Sequence, residues 1–166
     1  MADGIRIRFA RAGDEFVLAS LIATVQHLHV AARPDVFKAG EAHAFEAWAR
    51  QAIADGRARI LLAEAEGVPI GYAVFMDEQR ADNAFAFERR WREVEQLGVH
   101  PNHRRRGVGR ALLEHIVASA RVDGIRAVEL NTWAFNEAAR AAFERSGFVA
   151  RNVRFEMATA IEPSGR

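Results

Sequence analysis

The sequence predicts an α/β fold, of the α+β kind, in which helices flank one mixed central sheet. Three observations predict it. The chain has 166 residues, the usual length of one domain, so we expect a single domain over residues 1–166. Half of the residues are hydrophobic and 27% are charged, as in globular proteins with a sizeable core. Stretches with the period of a strand alternate with stretches of helical period, in the order β-α-α-β-β-β-α-β-α-β.

In the first half of the chain, apolar residues recur first with a period of two, then at helical spacing, then in a hairpin pattern. Asp14 is a typical N-cap, and Gly67 separates the two hairpin strands. The elements predicted here are a strand over residues 5–9, a helix from Asp14, a loop over 26–38 that contains Pro34, a helix that ends near Gly56, and strands over 59–66 and 68–76.

The second half alternates strands with amphipathic helices. Pro101 ends one strand, and Gly147 follows the last helix as a typical C-terminal stop. The elements predicted here are a turn-rich segment over 77–87, a strand over 91–99, a helix over 107–121, a strand over 125–132, a short helix over 136–145, a last strand over 148–157 and a frayed tail from Ala158.

Composition and charge exclude several classes of protein. The chain has no cysteine, which excludes disulfides, thiolate metal sites and a cysteine nucleophile. The formal net charge is +1, too small a bulk field to capture nucleic acid or an anionic membrane. We expect no apolar run of the about 18 residues that a membrane span needs, and we see no signal-peptide core at the start. We therefore expect a cytoplasmic protein.

A basic loop between a strand and a helix carries the most informative motif. It contains Arg104, Arg105 and Arg106, followed by Gly107 and Gly109 at the start of an amphipathic helix. Free backbone N–H groups and the positive end of the helix dipole then lie beside three guanidinium groups, which suits a pyrophosphate. On this pattern alone, the alternative is an ordinary solvated strand-to-helix turn.

Three blocks of sequence carry a resemblance to a known family. The first is Glu-Gln-Leu-Gly-Val-His-Pro over 95–101, followed by Arg-Arg-Arg-Gly-Val-Gly over 104–109. The second, over 136–148, contains Asn-x-x-Ala and ends in Gly-Phe, and the third and weaker one is the hairpin segment 67–72. In this order and spacing from residue 5 to residue 157, the chain resembles the Gcn5-related N-acetyltransferase (GNAT) superfamily.

The resemblance implies the GNAT fold and direct transfer of an acetyl group from acetyl-CoA, a co-substrate, to a primary amine of a small molecule or protein, with no metal. It implies that the amides around residues 105–110 hold the pyrophosphate and that Leu97 to Val99 pair with the pantetheine arm. A backbone N–H near Leu97 would polarise the thioester carbonyl. The residues assigned to the cofactor are Leu97, Gly98, Val99, Arg104, Arg105, Arg106, Gly107, Val108, Gly109, Arg110, Asn131 and Asn136. For Asn136, a plain helix N-cap is the alternative.

Glu93 and Glu95 are the candidate general bases. An alkylammonium has a pKa of about 10, so the acceptor amine must lose a proton to a nearby group or to water. Both carboxylates lie on the strand that leads into the basic loop, on the same face unless a bulge intervenes. Relatives in the family place a catalytic Glu at either offset. The alternative for each is a solvated or ion-paired residue that faces Arg89, Arg90 or Arg92.

Two features depart from the family pattern. Many relatives place a Tyr seven residues after the Asn, where it can protonate the leaving thiolate, but this chain has Phe143 there. Tyr72 is the only tyrosine, and we interpret it as a half-buried strand residue. After Gly147 there is room for one strand where the family often has two, so a partner chain could complete the sheet, and a homodimer is possible.

Other residues have both a plain and a functional interpretation. We interpret His100 and His103 as polar loop residues and not as metal ligands, and we expect His27 and His29 either at a helix end or in the acceptor pocket. The cluster of Arg89, Arg90 and Arg92 forms either ion pairs or a nucleic-acid patch. Trp48 and Trp133 lie either in the core or in a pocket wall. Two other functions stay open. One is a non-catalytic acyl-CoA-binding or sensing module, and the other a nucleic-acid-binding domain that uses the three arginines of the loop. We expect an amine acceptor, no nucleic acid and no membrane, and the sequence does not identify the acceptor.

Overall fold

A computed structural model of the chain describes residues 4–157 and residue 159, which form five strands, four α-helices and one 3₁₀ turn. The elements, in chain order, are β1 (Ile5–Phe9), α1 (Glu15–Ala32), α2 (Ala42–Asp55), β2 (Arg59–Ala65), β3 (Val68–Arg80), β4 (Arg89–Val99), the 3₁₀ turn (Pro101–His103), α3 (Val108–Val122), β5 (Val128–Leu130) and α4 (Glu137–Arg145). The predicted fold class, a mixed sheet flanked by helices, is confirmed.

The five strands lie in the order β1-β2-β3-β4-β5, with the first four antiparallel and β5 parallel to β4. Glu66 and Gly67, which join β2 to β3, have φ angles of 52° and 79°. Two left-handed residues in succession are typical of a type I′ turn, which matches the twist of a hairpin. The parallel strand β5 is reached through α3, as a parallel connection requires a crossover.

Helices cover both faces of the sheet. On one face, Leu18, Leu21 and Ile22 of α1 and Ala49 of α2 are buried with side chains of β2 and β3. On the other face, α3 buries Leu112 and Ile116 against β2, β3 and β4. Because successive residues of a strand point to opposite faces, each side chain of β4 faces either α1 or α3.

Helix α1 is longer than predicted. Residues 26–32, expected in a loop, are helical, and the helix ends at Ala32. Pro34 disfavours helical geometry for the residue before it, which explains why the chain leaves the helix there. The expectation that no segment reaches the length of a membrane span is also wrong: α1 has 18 residues with a mean hydropathy of 1.3. Its Leu18 and Leu21 are buried against the sheet.

The β3–β4 hairpin is also longer than predicted. Strand β3 continues to Arg80 and β4 begins at Arg89, and these two residues pair. Residues 77–80, expected in a turn-rich segment, are therefore strand, because β4 offers them a complete hydrogen-bonding edge.

The last predicted strand, over residues 148–157, is not a strand in the structure. Its residues from Val149 onward are exposed, Phe155 at 90%. A strand needs a neighbour for its backbone groups. The nearest edge belongs to β5, which has three residues where we expected a strand over 125–132. The alternating pattern alone therefore does not produce a strand. The predicted frayed tail begins at position 158, outside the described residues.

Candidate active site

Strands β4 and β5 pair over three residues, and the pairing ends where β5 ends, at Leu130; we call the open edge of β4 beyond this point the gap between β4 and β5. The pairs join Arg92 to Val128 and Val94 to Leu130, with one pair between them. Beyond Val94, β4 continues to Val99 and stays paired with β3 along one edge. Among the described residues, no strand pairs with the opposite edge of 95–99. The Val99 carbonyl accepts a hydrogen bond from Arg104 Nε at 3.2 Å. The other N–H and C=O groups that point away from β3 can hold an extended ligand as if it were an added strand.

A β-bulge at Glu95 changes what the two candidate bases contact. Val74 pairs with Gln96 and Phe75 pairs with Val94, so Glu95 is the extra residue. Glu93 lies half-buried on the α1 face of the sheet, whereas Glu95 is exposed. The bulge therefore gives the two glutamates different surroundings although they are only two residues apart.

Glu93 is held by two hydrogen bonds. Trp91 Nε1 donates to Oε2 at 3.1 Å, and Asn131 Nδ2 donates to Oε1 at 3.1 Å. Burial raises the pKa of Glu93 above its usual value, and the nearby carboxylates of Glu129 and Glu95 raise it further. Each carboxylate oxygen can accept a second donor, so Glu93 can still bind an ammonium group or a water molecule.

The loop after β4 delivers free amides to the start of α3. Gly107, the N-cap residue, has a φ of 83°, a left-handed conformation that favours glycine, and Arg105 has a φ of 60°. The N–H groups of Val108, Gly109 and Arg110 have no acceptor within the helix, and Gly107 has no side chain to cap them. Together with the helix dipole, these amides suit an anion.

The arginines of this loop surround the same helix start. Arg104, Arg105 and Arg106 are exposed, and among the described residues no carboxylate lies within ion-pair distance of them. Arg110 differs, since its Nε lies 2.7 Å from Oε1 of Glu114 one turn along α3. Three guanidinium groups without a carboxylate partner, beside free amides, fit a pyrophosphate such as the one in CoA.

Close packing requires glycine at position 98. A Cβ atom on Gly98 would collide with the ring of Tyr72 and would lie 2.7 Å from Cγ2 of Val25 on α1. Tyr72 is buried, donates a hydrogen bond to Oε1 of Gln96 at 3.2 Å, and has a pKa raised by that burial. Tyr72 is a strand residue, as predicted, but it is fully buried and not half-buried, and its hydrogen bond to Gln96 joins β3 to β4. Leu97 and Val99 point the other way, toward α3.

The two asparagines have different surroundings. Asn131, just after β5, donates to Glu93. Asn136 is the N-cap of α4, where its Oδ1 accepts a hydrogen bond from the Ala139 N–H at 3.2 Å. Contacts of either residue with a cofactor stay predictions. The sequence analysis did not predict that Trp91 and Asn131 donate hydrogen bonds to Glu93. The position of Trp91, two residues before Glu93 on the same face of the strand, could have indicated the first of these contacts.

The arginines at the start of β4 form ion pairs, as predicted. Arg89 pairs with Glu129, and Arg92, fully buried, pairs with Asp77 at 2.7 Å and Asp123 at 2.6 Å. No group of three metal-ligating side chains occurs in the part of the chain that the structure describes. At the position where relatives have Tyr, Phe143 is partly buried and its ring lies 6.4 Å from that of Phe148.

A family model described as "Acetyltransferase (GNAT) family" matches residues 22–148, more than half of the chain. The chain belongs to this family. The region matched by the GNAT model contains the gap between β4 and β5, the basic loop and most of the helices described above.

Solved structures share the fold of this GNAT protein. The BH1408 protein of Bacillus halodurans, solved as a tetramutant, is 24% identical with a TM-score of 0.88 and covers 93% of this chain and 99% of its own. An aminoglycoside N-acetyltransferase in complex with CoA is 19% identical with a TM-score of 0.72 and covers 94% of this chain and 95% of its own. At these identities the likeness establishes the fold.

A curated relative shares a shorter region. The ribosomal protein bS18-alanine N-acetyltransferase of Escherichia coli K12 is 38% identical over 58 residues. The match covers 35% of this chain and 39% of the relative, so the chain spans about two fifths of the length of that protein.

Proposed function

We propose that this GNAT protein is an acetyl-CoA-dependent N-acetyltransferase that transfers an acetyl group directly to a primary amine. The observation that supports the proposal is that the open edge of β4 is followed along the chain by the anion site at the start of α3. The free edge of β4, residues 95–99, leads straight to the uncapped start of α3 and its three arginines. Glu93 lies on the same strand, two residues before that edge.

The residues present fit acetyl-CoA. The amides from Arg105 to Arg110 would bind the pyrophosphate, and the backbone of Leu97 to Val99 would pair with the pantetheine arm. Acetyl-CoA supplies an acetyl group activated as a thioester. A backbone N–H near Leu97, freed from strand pairing by the gap, would donate a hydrogen bond to the thioester carbonyl oxygen and stabilise the charge that develops there.

Glu93 would act as the general base. Its raised pKa makes it a better proton acceptor than an ordinary surface carboxylate, and its oxygens keep free lone pairs. In the transfer, the amine nitrogen forms a bond to the acetyl carbon, the carbon–sulfur bond breaks, and one proton of the amine passes to Glu93 directly or through water. Glu95, exposed at the bulge, is the second candidate.

CoA can leave without a tyrosine. Phe143 cannot donate a proton, but a thiol with a pKa of about 8.5 leaves readily as a thiolate, and water can protonate it. The same residue supports the second candidate function, a module that binds acyl-CoA without catalysis. Acetylation of an amine by the purified protein would exclude that alternative.

The proposed function does not specify the class of amine that accepts the acetyl group. The curated relative is named for the alanine of a ribosomal protein, which makes a peptide α-amine one class to test. A single-domain protein, a cytoplasmic location and a homodimer remain predictions from the sequence.

Calorimetric titration with acetyl-CoA tests the proposal. We expect the parent protein to bind with a micromolar Kd and Gly107→Glu to show no binding, because the carboxylate would occupy the anion site. Gly124→Glu is the matched control: Gly124 also has a positive φ, 69°, but lies at the far end of α3. We expect Gly124→Glu to bind as the parent does.

Arg104→Glu with Arg106→Glu is the second variant, in case Gly107→Glu does not fold. Thermal unfolding establishes that each variant is folded before it is titrated. Absence of binding by the parent, or undiminished binding by both site variants, would overturn the proposed site.

A further inference from the structure

Four aromatic rings form a continuous cluster beside the gap between β4 and β5. His29 stacks on Phe37 with ring centroids 4.8 Å apart, and Phe37 meets Trp133 edge-on at 5.3 Å. Trp133 stacks on Phe135 at 5.9 Å, and Phe135 lies 6.3 Å from His29. We call these four side chains the aromatic platform. Phe135 is 41% exposed and the other three are half-buried, so the platform offers apolar surface to solvent.

The platform lies on the Glu93 face of the sheet. Val25 of α1 lies over Gly98, and His29 follows Val25 by one helical turn, on the same side of the helix. Trp133 follows Asn131, the hydrogen-bond partner of Glu93, by two residues, a span of at most about 7 Å of chain. The platform is therefore linked to the candidate general base through Asn131, on the same face of the sheet.

The cation beside the platform is already neutralised. The Arg33 guanidinium lies 5.2 Å from the centre of the Trp133 ring. It pairs with Asp35 at 2.7 Å and with Glu156 at 3.0 Å. Burial lowers the pKa of His29, which favours the neutral imidazole. Because Arg33 is already paired with two carboxylates, it is less able to bind a ligand carboxylate, whereas Glu93 can bind an ammonium group.

We propose that the aromatic platform binds the acceptor, and that the acceptor is a primary amine joined by a short spacer to an aromatic ring, without a carboxylate. This inference rests on the proposed acetyltransferase function. The ring of such an arylalkylamine would stack on the exposed apolar surface, and its ammonium group would reach Glu93. In the transfer Glu93 accepts one proton from the ammonium group, directly or through water. The amine nitrogen then bonds to the acetyl carbon of acetyl-CoA as the carbon–sulfur bond breaks, and the second proton passes to water or to the departing CoA thiolate.

Other acceptor classes fit these surroundings less well. An amino acid would bring a carboxylate into a place where Arg33 is already paired with two acidic side chains. A polyamine carries several ammonium groups, and a row of carboxylates would be needed to bind them. The aromatic platform adds little binding free energy for such a ligand beyond its first ammonium group. Aromatic surface of this kind is best used by a planar apolar group.

The first experiment compares kcat/KM for phenethylamine, putrescine and phenylalanine with saturating acetyl-CoA. We expect phenethylamine to exceed each of the others by at least about tenfold, the size of a favourable aromatic contact. Equal or higher kcat/KM for putrescine or phenylalanine would overturn the inference.

The second experiment uses Trp133→Leu and Phe37→Leu, with Trp48→Leu as the matched control. Trp48 lies on α2, is 37% exposed and has no ring contact with the platform among the described residues. We expect both platform variants to raise KM for phenethylamine about tenfold with little change in kcat, while Trp48→Leu has no such effect. The Kd for acetyl-CoA should be unchanged in all three, which separates a specificity role from a structural one.

These experiments distinguish a failure of the aromatic-acceptor proposal from a failure of the acetyltransferase proposal. If acetyl-CoA binds and another amine is acetylated, the proposed function stands and the aromatic acceptor is excluded. If acetyl-CoA binds but no amine in the panel is acetylated, the aromatic acceptor is excluded, and acetylation of a peptide α-amine then decides whether the acetyltransferase proposal stands. A KM for phenethylamine that Trp133→Leu and Trp48→Leu raise equally would remove the platform from the acceptor site.

Discussion

Glu93 and Glu95 are two residues apart in the sequence but have different chemistry in the fold. Glu93 is half-buried and holds two hydrogen-bond donors, and burial raises its pKa. Glu95 occupies the bulge and is exposed. The difference arises from desolvation and not from residue type, because an exposed carboxylate keeps its ordinary hydration.

We predict that Glu93→Gln lowers kcat about 100-fold or more, the usual contribution of a general base, while Glu95→Gln lowers it only a few-fold. The Kd for acetyl-CoA should stay the same in both variants. Since the base must be ionised, the activity of the parent should fall as pH drops through the raised pKa of Glu93, and Glu93→Gln should lose this dependence. Steady-state rates against pH give both results. A larger loss in Glu95→Gln than in Glu93→Gln would transfer the role to Glu95.

Strand β4 joins the site to the core by sending alternate side chains to opposite faces. Arg92 and Val94 face α3, whereas Trp91 and Glu93 face α1. The buried Arg92 also anchors the strand, because its guanidinium binds Asp77 of β3 and, at the end of α3, Asp123. The position of Glu93 therefore depends on an ion-pair network on the other face of the same strand.

We predict that Arg92→Met lowers the free energy of unfolding by about 2–4 kcal/mol, because the substitution removes the buried guanidinium and leaves the carboxylates of Asp77 and Asp123 without this cation. Arg90→Met is the control. Arg90 is exposed and lies 3.9 Å from the same Asp77, so we expect a change below about 1 kcal/mol. Urea unfolding measures both. Equal effects of the two substitutions would contradict a structural role for the Arg92 network.

Across the whole molecule, arginine-bound carboxylates set the dependence of stability on pH. Hydrogen bonds from Arg8 lower the pKa of Asp14, and hydrogen bonds from Arg92 and Arg89 lower those of Asp123 and Glu129. A carboxyl group with a lowered pKa in the folded state stabilises the fold above its unfolded pKa, and this stabilisation is lost as pH falls through the folded pKa.

We predict that Tm is nearly constant around neutral pH and falls as pH drops below about 4, where these carboxylates begin to take up protons. Arg8→Met, which removes the partner of Asp14 and Glu64, should have a lower Tm at neutral pH and a smaller fall in acid. Calorimetric scans from neutral to acidic pH test this. A fall in acid as large as that of the parent would show that Arg8 does not contribute to it.

Several features of this protein could be predicted from the sequence because they depend on neighbouring residues. The period-two pattern of residues 5–9 predicts β1 correctly, and Asp14, Asn136 and Gly147 mark helix ends that the structure confirms. The motifs of the basic loop and of α4 are contiguous, so they indicated the GNAT family without any knowledge of packing.

Tertiary structure alone decided the rest, because those features join distant segments. The bulge at Glu95 depends on the register of β4 with β3, and one of the two hydrogen bonds that hold Glu93 comes from Asn131, 38 residues away. The aromatic platform joins the end of α1 to the loop after β5. Residues 148–157 alternate like a strand, yet β5 is too short to pair with them. Local pattern sets the elements, whereas desolvation and strand pairing are properties of the assembled fold.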